Sequence, residues 1–160
     1  MASRNKTFRE KLTESKGMPR VVPLSAGMQR KWGPGTAVIP SPMEVDELMR
    51  RARKGKLITI NQIREVLAER HDATMSCPIV TGIHARIAAG AAGEALAEGK
   101  KRVTPFWRTL KSGGELNEKY PGGLEGQQAR LEAEGHSVIP RGKKLVVADF
   151  ERYLVDLSKG

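Results

Sequence analysis

The chain has 160 residues, 39% hydrophobic and only 4% aromatic, which suffices for one domain whose core is built from Leu, Ile, Val, Met and Ala. Its 28 Lys and Arg against 18 Asp and Glu give a formal charge of +10 and a pI near 10.0, which points to a polyanion such as nucleic acid, the plainer alternative being a ribosome-associated or merely soluble basic protein. A single cysteine, Cys77, excludes an internal disulfide, and neither a membrane-length apolar run nor the apolar centre of a signal peptide is present, so a cytoplasmic protein is expected, nucleoid-associated in a bacterium.

Residues 1–40 read as a basic arm. Residues 7–15 are compatible with one or two helical turns, but Gly and Pro interrupt the residues beyond them and no apolar stripe is sustained. Disorder is therefore expected, either as an arm along a nucleic-acid backbone or as a solubilising tail. A domain over residues 41–158 then begins sharply at SPME. Ser41 is an N-cap, Pro42 the first helical residue, and Glu44 closes a capping box. Val45, Leu48, Met49 and Ala52 share one face of this helix, and Gly55 ends it. TINQ repeats the device, with Thr59 as cap and Gln62 closing the box, for a helix to about Glu69.

HDATMSCP is a turn, and a third helix runs from Ser76–Pro78 to Gly99. Ile79, Ile83 and Ile87 are expected to form its inward early face. Its second half is built of Ala and Gly from Ala88 to Gly93. Each glycine costs a helix about 1 kcal/mol relative to alanine, so something is expected to approach its backbone closely, either another helix or a sugar-phosphate chain. The pair 59–69 and 78–99 is a helix-turn-helix arrangement.

KKRVTPFW reads as a short extended piece and SGGELNEKYPGG as a loop. LEGQQARLEAEG is a helix stopped by Gly135, and HSVIP pairs with KLVVA as a hairpin across Arg141–Gly142. Asp149 caps a final helix with Phe150, Tyr153, Leu154 and Leu157 inward. The fold class expected is mainly α with small β elements.

The tract from Gly55 to His136 resembles the DNA-binding domain of the O6-alkylguanine-DNA alkyltransferases. The residues that carry the resemblance are Pro-x-x-Arg at 105–108, a Gly-containing turn, YPGGLEGQQARLEAEGH, and GKLITINQIREVL. The family's tract is Pro-Cys-His-Arg-Val, a loop, a Tyr, Gly-Gly and a helix ending in Glu-Gly-His. The resemblance implies a winged-helix-like alkyltransferase C-terminal domain fold.

In that family a cysteine thiolate, activated by a histidine and through it a glutamate, takes an alkyl group from a flipped guanine. By the resemblance, the cysteine position is Phe106, the histidine position Trp107, the glutamate position Glu134 and the pocket tyrosine Tyr120. Phenylalanine has no nucleophile and indole no basic nitrogen. The family's arginine finger aligns near Gly90, with Arg86 about one turn earlier, and the tyrosine that rotates the target phosphate falls on Ile60. Cys77 lies between the two helices, far in sequence from residues 105–108, and reads as structural.

The alkyltransferase-like branch of the family also lacks the cysteine, binds alkylated DNA without repairing it, and passes the lesion to excision repair. It places tryptophan at the cysteine position and keeps the finger; this chain has its tryptophan one position later and no finger. A non-enzymatic binder of double-stranded DNA, sensing alkylated or damaged bases, with repair proteins as further partners, is expected. A protein- or RNA-interaction module is the alternative.

Phosphate contacts are expected from Lys54, Lys56, Arg64, Arg86, Lys100, Lys101, Arg102, Arg108 and Lys111, with Gly90 at the DNA surface. Phe106 and Trp107 either stack on a base or fill the space of a lost active site. The histidines show no ligand spacing with Cys77, so neither metal nor cofactor is expected.

Overall fold

Residues 6–40 do not trail away from the rest of the chain. A computed structural model describes residues 6–157; the first five residues of the expected arm lie outside that range. Helix α1 (Phe8–Leu12) starts at a capping box, in which Thr7 Oγ1 accepts from the Glu10 amide at 3.1 Å and the Glu10 carboxylate accepts from the Thr7 amide at 3.4 Å. Strand β1 (Arg20–Pro23), helix α2 (Ala26–Trp32) and strand β2 (Thr36–Ile39) come next. Leu24, Ala37 and Val38 are buried. The expected disorder and the boundary at residue 41 are corrected accordingly: elements this short show no stripe of their own and are held by what they pack on.

Helix α3 (Pro42–Met49) begins at the expected Ser41–Glu44 box. It stops at Arg50 rather than at Gly55, the Arg50 amide reaching both Asp46 and Leu48 carbonyls in a tightened last turn. Strand β3 (Ile58–Thr59) leads into helix α4 (Ile60–Arg70), started by the Thr59–Gln62 box. Strand β4 (Met75–Ser76) then enters helix α5 (Pro78–Ala97), completing the helix-turn-helix pair. Strand β2 lies between β1, antiparallel, and β4, parallel.

Helix α5 turns a different face inward from the one expected. Ile79 and Ile83 are 72% and 51% exposed. The buried side is Thr81, His84, Ala85, Ala88, Ala89 and Ala92, packed chiefly on α1 and α3. A helix apolar around most of its circumference does not announce which stripe is the core. The close approach expected at its glycines comes from protein: Phe8 of α1 lies on Gly90, where a Cβ would run into its ring, and Pro121 lies on Gly93.

After α5, strand β5 (Thr109–Leu110) pairs parallel with β3, placing Thr109 opposite Ile58. Helix α6 (Gly123–Ala133) is next. Strands β6 (Val138–Arg141) and β7 (Lys144–Val147) form the expected hairpin, its two-residue turn at Gly142–Lys143, one residue later than the sequence suggests. The closing helix is only a 3-10 turn, Phe150–Tyr153; Asp149 sits before it with φ of 53° and makes no side-chain cap. Among the described residues the fold is mainly helical with three small sheets. No helix among the described residues is long and apolar enough to cross a membrane.

Candidate nucleic-acid interface

The loop before β5 is fixed at both ends and from below. Its N-terminal end is tied where Thr104 Oγ1 donates to buried Asp46 Oδ1 at 2.6 Å. Its C-terminal end is the β3–β5 ladder. Between them Phe106–Arg108 form one 3-10 turn, not the extended piece expected. From α6, fully buried Gln127 accepts from the Asn117 amide at 2.8 Å and donates to the Trp107 carbonyl at 3.1 Å. Gln127 is absent from the residues singled out in the sequence, yet it lies between Leu124 and Leu131 on the same helical stripe, which is where the signal was.

The resemblance-derived pocket residues do converge, and they fill their own space. Phe106 is 1% exposed, its ring edge-on to Trp107 at 5.3 Å and to Tyr120 at 6.0 Å. Trp107 Nε1 donates to Glu134 Oε2 at 3.1 Å. Arg108 grips the same carboxylate twice, Nε at 2.8 Å and Nη2 at 2.6 Å, and gives Nη1 to the Ala52 carbonyl at 2.8 Å. The Arg130 guanidinium lies 4.5 Å from the Trp107 ring.

Burial pushes the Tyr120 hydroxyl well above its ordinary range, so it stays a neutral phenol. Burial also pushes the Glu134 carboxyl up, but the bonds from Arg108 and Trp107 outweigh it and hold the group below its ordinary range. Glu134 is thus an ionised anchor for Arg108 and Trp107. No nucleophile or titratable base stands at positions 106 and 107. Cys77 is elsewhere, at the β4–α5 junction, where its amide donates to the Val38 carbonyl at 3.0 Å.

No family model matches the chain, and no curated protein does. Among solved structures the chain is similar to Schizosaccharomyces pombe Atl1 in complex with damaged DNA containing O6-carboxymethylguanine, with a TM-score of 0.47, 18% identity, and coverage of 72% of this chain and 94% of that one. It is likewise similar to S. pombe ATL in complex with DNA, with a TM-score of 0.46 and the same identity and coverage.

The cations expected at phosphates are distributed unevenly. Arg108 is withdrawn from that set, since its guanidinium is held inside by Glu134 and Ala52. Gly90 is withdrawn as well, being buried beneath Phe8. Arg64, on α4, reaches toward the start of α5, its Nε donating to the Ser76 carbonyl at 3.2 Å. Arg86 is exposed on α5 and shares a shallow hollow with Phe8, Lys119 and Pro121. Lys100 and Arg102 border a groove with Arg9 and Arg50, whereas Lys101, Lys54 and Lys56 are exposed on connecting segments. Lys111 lies apart, at the turn where its amide meets the Glu115 carbonyl.

Proposed function

We propose that this protein is a non-enzymatic binder of duplex DNA that favours sites where a damaged base has weakened the stack. The observation that carries the reading is the exposed face of α5, second helix of a helix-turn-helix pair. It bears Arg86 and starts beside Arg64, and residues 73–93 contain no Asp or Glu. Such a face suits a phosphate-lined groove. The packed rings of Phe106, Trp107 and Tyr120 support a role without group transfer, because they supply neither nucleophile nor general base. A damaged pair costs less to open than an intact one, so preference for damage requires no covalent step.

The test is fluorescence anisotropy with matched duplexes, with and without O6-methylguanine, across a salt series. Binding that weakens steeply with salt and is tighter on the alkylated duplex is expected, with no mass added to the protein. Equal affinity for both duplexes would leave a general DNA binder. Absence of binding at low salt, or tighter binding of an RNA or a protein, would overturn the reading. Alkyl transfer to any residue would overturn its non-enzymatic part.

A further inference from the structure

Helix α5 exposes two large branched side chains at its outset, where a core-facing stripe was expected. Ile79 and Ile83 are one turn apart, and Arg86 continues the same face three residues on. The stripe then ends, because the next position along it, Gly90, is covered by Phe8. Beside the pair, Gly82 leaves its surroundings open: a Cβ there would meet nothing. Arg64 is held at the other end of the stripe through the Ser76 carbonyl. The result is an exposed apolar pair on residues 73–93, which carry no Asp or Glu, with Arg86 of the same helix on one side and Arg64, reaching over from α4, on the other. Other exposed apolar groups, Val21, Trp32, Met43 and Ile139, lie singly on four different elements.

We propose that Ile79 and Ile83 form a wedge that enters a base step of duplex DNA and unstacks it, with Arg64 and Arg86 on the phosphates to either side. The inference rests on the DNA-binding reading. Phosphate contacts alone hold a helix against a groove without disturbing the bases, whereas apolar side chains inserted between base pairs kink the duplex and unstack a step in exchange for buried surface. The charge pattern selects nucleic acid over an apolar protein groove, because a protein partner would have to bury or neutralise both arginines to reach the isoleucines. It also supplies a route to damage preference: a step that is already weakly stacked yields to a wedge at lower cost.

The experiment uses the full chain and a duplex of mixed sequence carrying 2-aminopurine next to a central TA step. Wild-type protein is expected to raise the 2-aminopurine emission on binding. An Ile79→Ala/Ile83→Ala variant should fold with an unchanged circular dichroism spectrum, since both side chains are exposed. It should lose the emission rise and bind about tenfold more weakly, while the slope of affinity against salt stays the same. Ile79→Leu/Ile83→Leu should retain the rise. Arg86→Ala should do the reverse, keeping the rise in the bound state and lowering the salt slope by about one phosphate. Wild-type binding without any emission rise, or a double alanine variant that still gives the full rise, would overturn the wedge and leave DNA binding standing. Failure of the wild type to bind the duplex at all would overturn both.

Discussion

Glu134 is the residue on which the filled pocket turns. Its carboxylate takes two bonds from Arg108 and one from Trp107, and both members of the Arg108–Glu134 pair are largely buried. Glu134→Gln leaves the guanidinium buried without a counter-charge and should destabilise the fold by about 3 kcal/mol, read as a lower urea midpoint with an unchanged m-value. Trp107→Phe keeps a ring and loses one hydrogen bond to a charged group, which should cost about 1.5–3 kcal/mol. Trp107→Ala should cost about 3 kcal/mol, with duplex affinity intact at temperatures where the variant is folded. Loss of affinity in a fully folded Trp107→Ala would instead show the ring stacking on a base. The four pocket positions were legible because a motif placed them together. Their roles were not. Arg108 reads in a sequence as one more cation for phosphate, since a charge carries no sign of the partner that will neutralise it. Gln127 reads as a surface amide until its helical stripe is laid beside Leu124 and Leu131.

Helix α1 was the least legible element, although Thr7-x-x-Glu10 is a capping box of the same kind as those plain in the sequence at Ser41 and Thr59. What hid it was its source of stability, which lies some 80 residues away in α5. Glu94 accepts from the Phe8 and Arg9 amides, both at 3.0 Å, Arg9 pairs with Glu98, and Phe8 lies on Gly90. Helix α5 itself is legible at nearly its true length, yet with the wrong face inward, because alanines and isoleucines compete for the core and volume decides. The closeness required by α1 and α3 suits the alanines. A double-mutant cycle tests the α1 contact. Gly90→Ala forces a methyl group against the Phe8 ring and should cost about 1–2 kcal/mol in the wild-type background. Phe8→Ala removes the ring, and in that background the same Gly90→Ala should become stabilising by about 1 kcal/mol, as alanine favours the helix over glycine. Urea unfolding of the four proteins measures both signs. An effect of Gly90→Ala independent of residue 8 would mean that α1 is not seated on α5.

For the whole molecule, a mainly helical chain with small β elements could be read from caps and periodicity, whereas the three-stranded sheet could not. Its members are two to four residues long, and β4 is recruited from a segment that reads as a turn. The buried histidines couple this whole fold to pH. Burial pushes His84 below its ordinary pKa, although a bond to the Pro40 carbonyl opposes the shift. Burial likewise pushes His136 down. Glu134 opposes that shift and Arg108 adds to it. The His136 ring stands edge-on to Tyr153 at 4.9 Å, with both nitrogens buried and without a hydrogen-bond partner among the described residues. Once unfolded, each imidazole takes up a proton near pH 6.5; the folded chain holds off until lower pH. Stability from this source is therefore complete above about pH 6.5 and is lost as pH falls toward the depressed folded values. Glu134 acts in a lower window, its contribution present above about pH 4.3 and lost as pH falls through its own lowered value. Urea midpoints measured from pH 8 to 3 should show a first decline beginning near pH 6.5 and a second below about pH 4.3. His136→Asn, which cannot take up a proton, should flatten part of the first decline and leave the second in place. Glu134→Gln should remove part of the second and deepen the first, because it also takes away the charge that opposes the downward shift of His136. A first decline of full size in His136→Asn would locate the acid sensitivity in other groups.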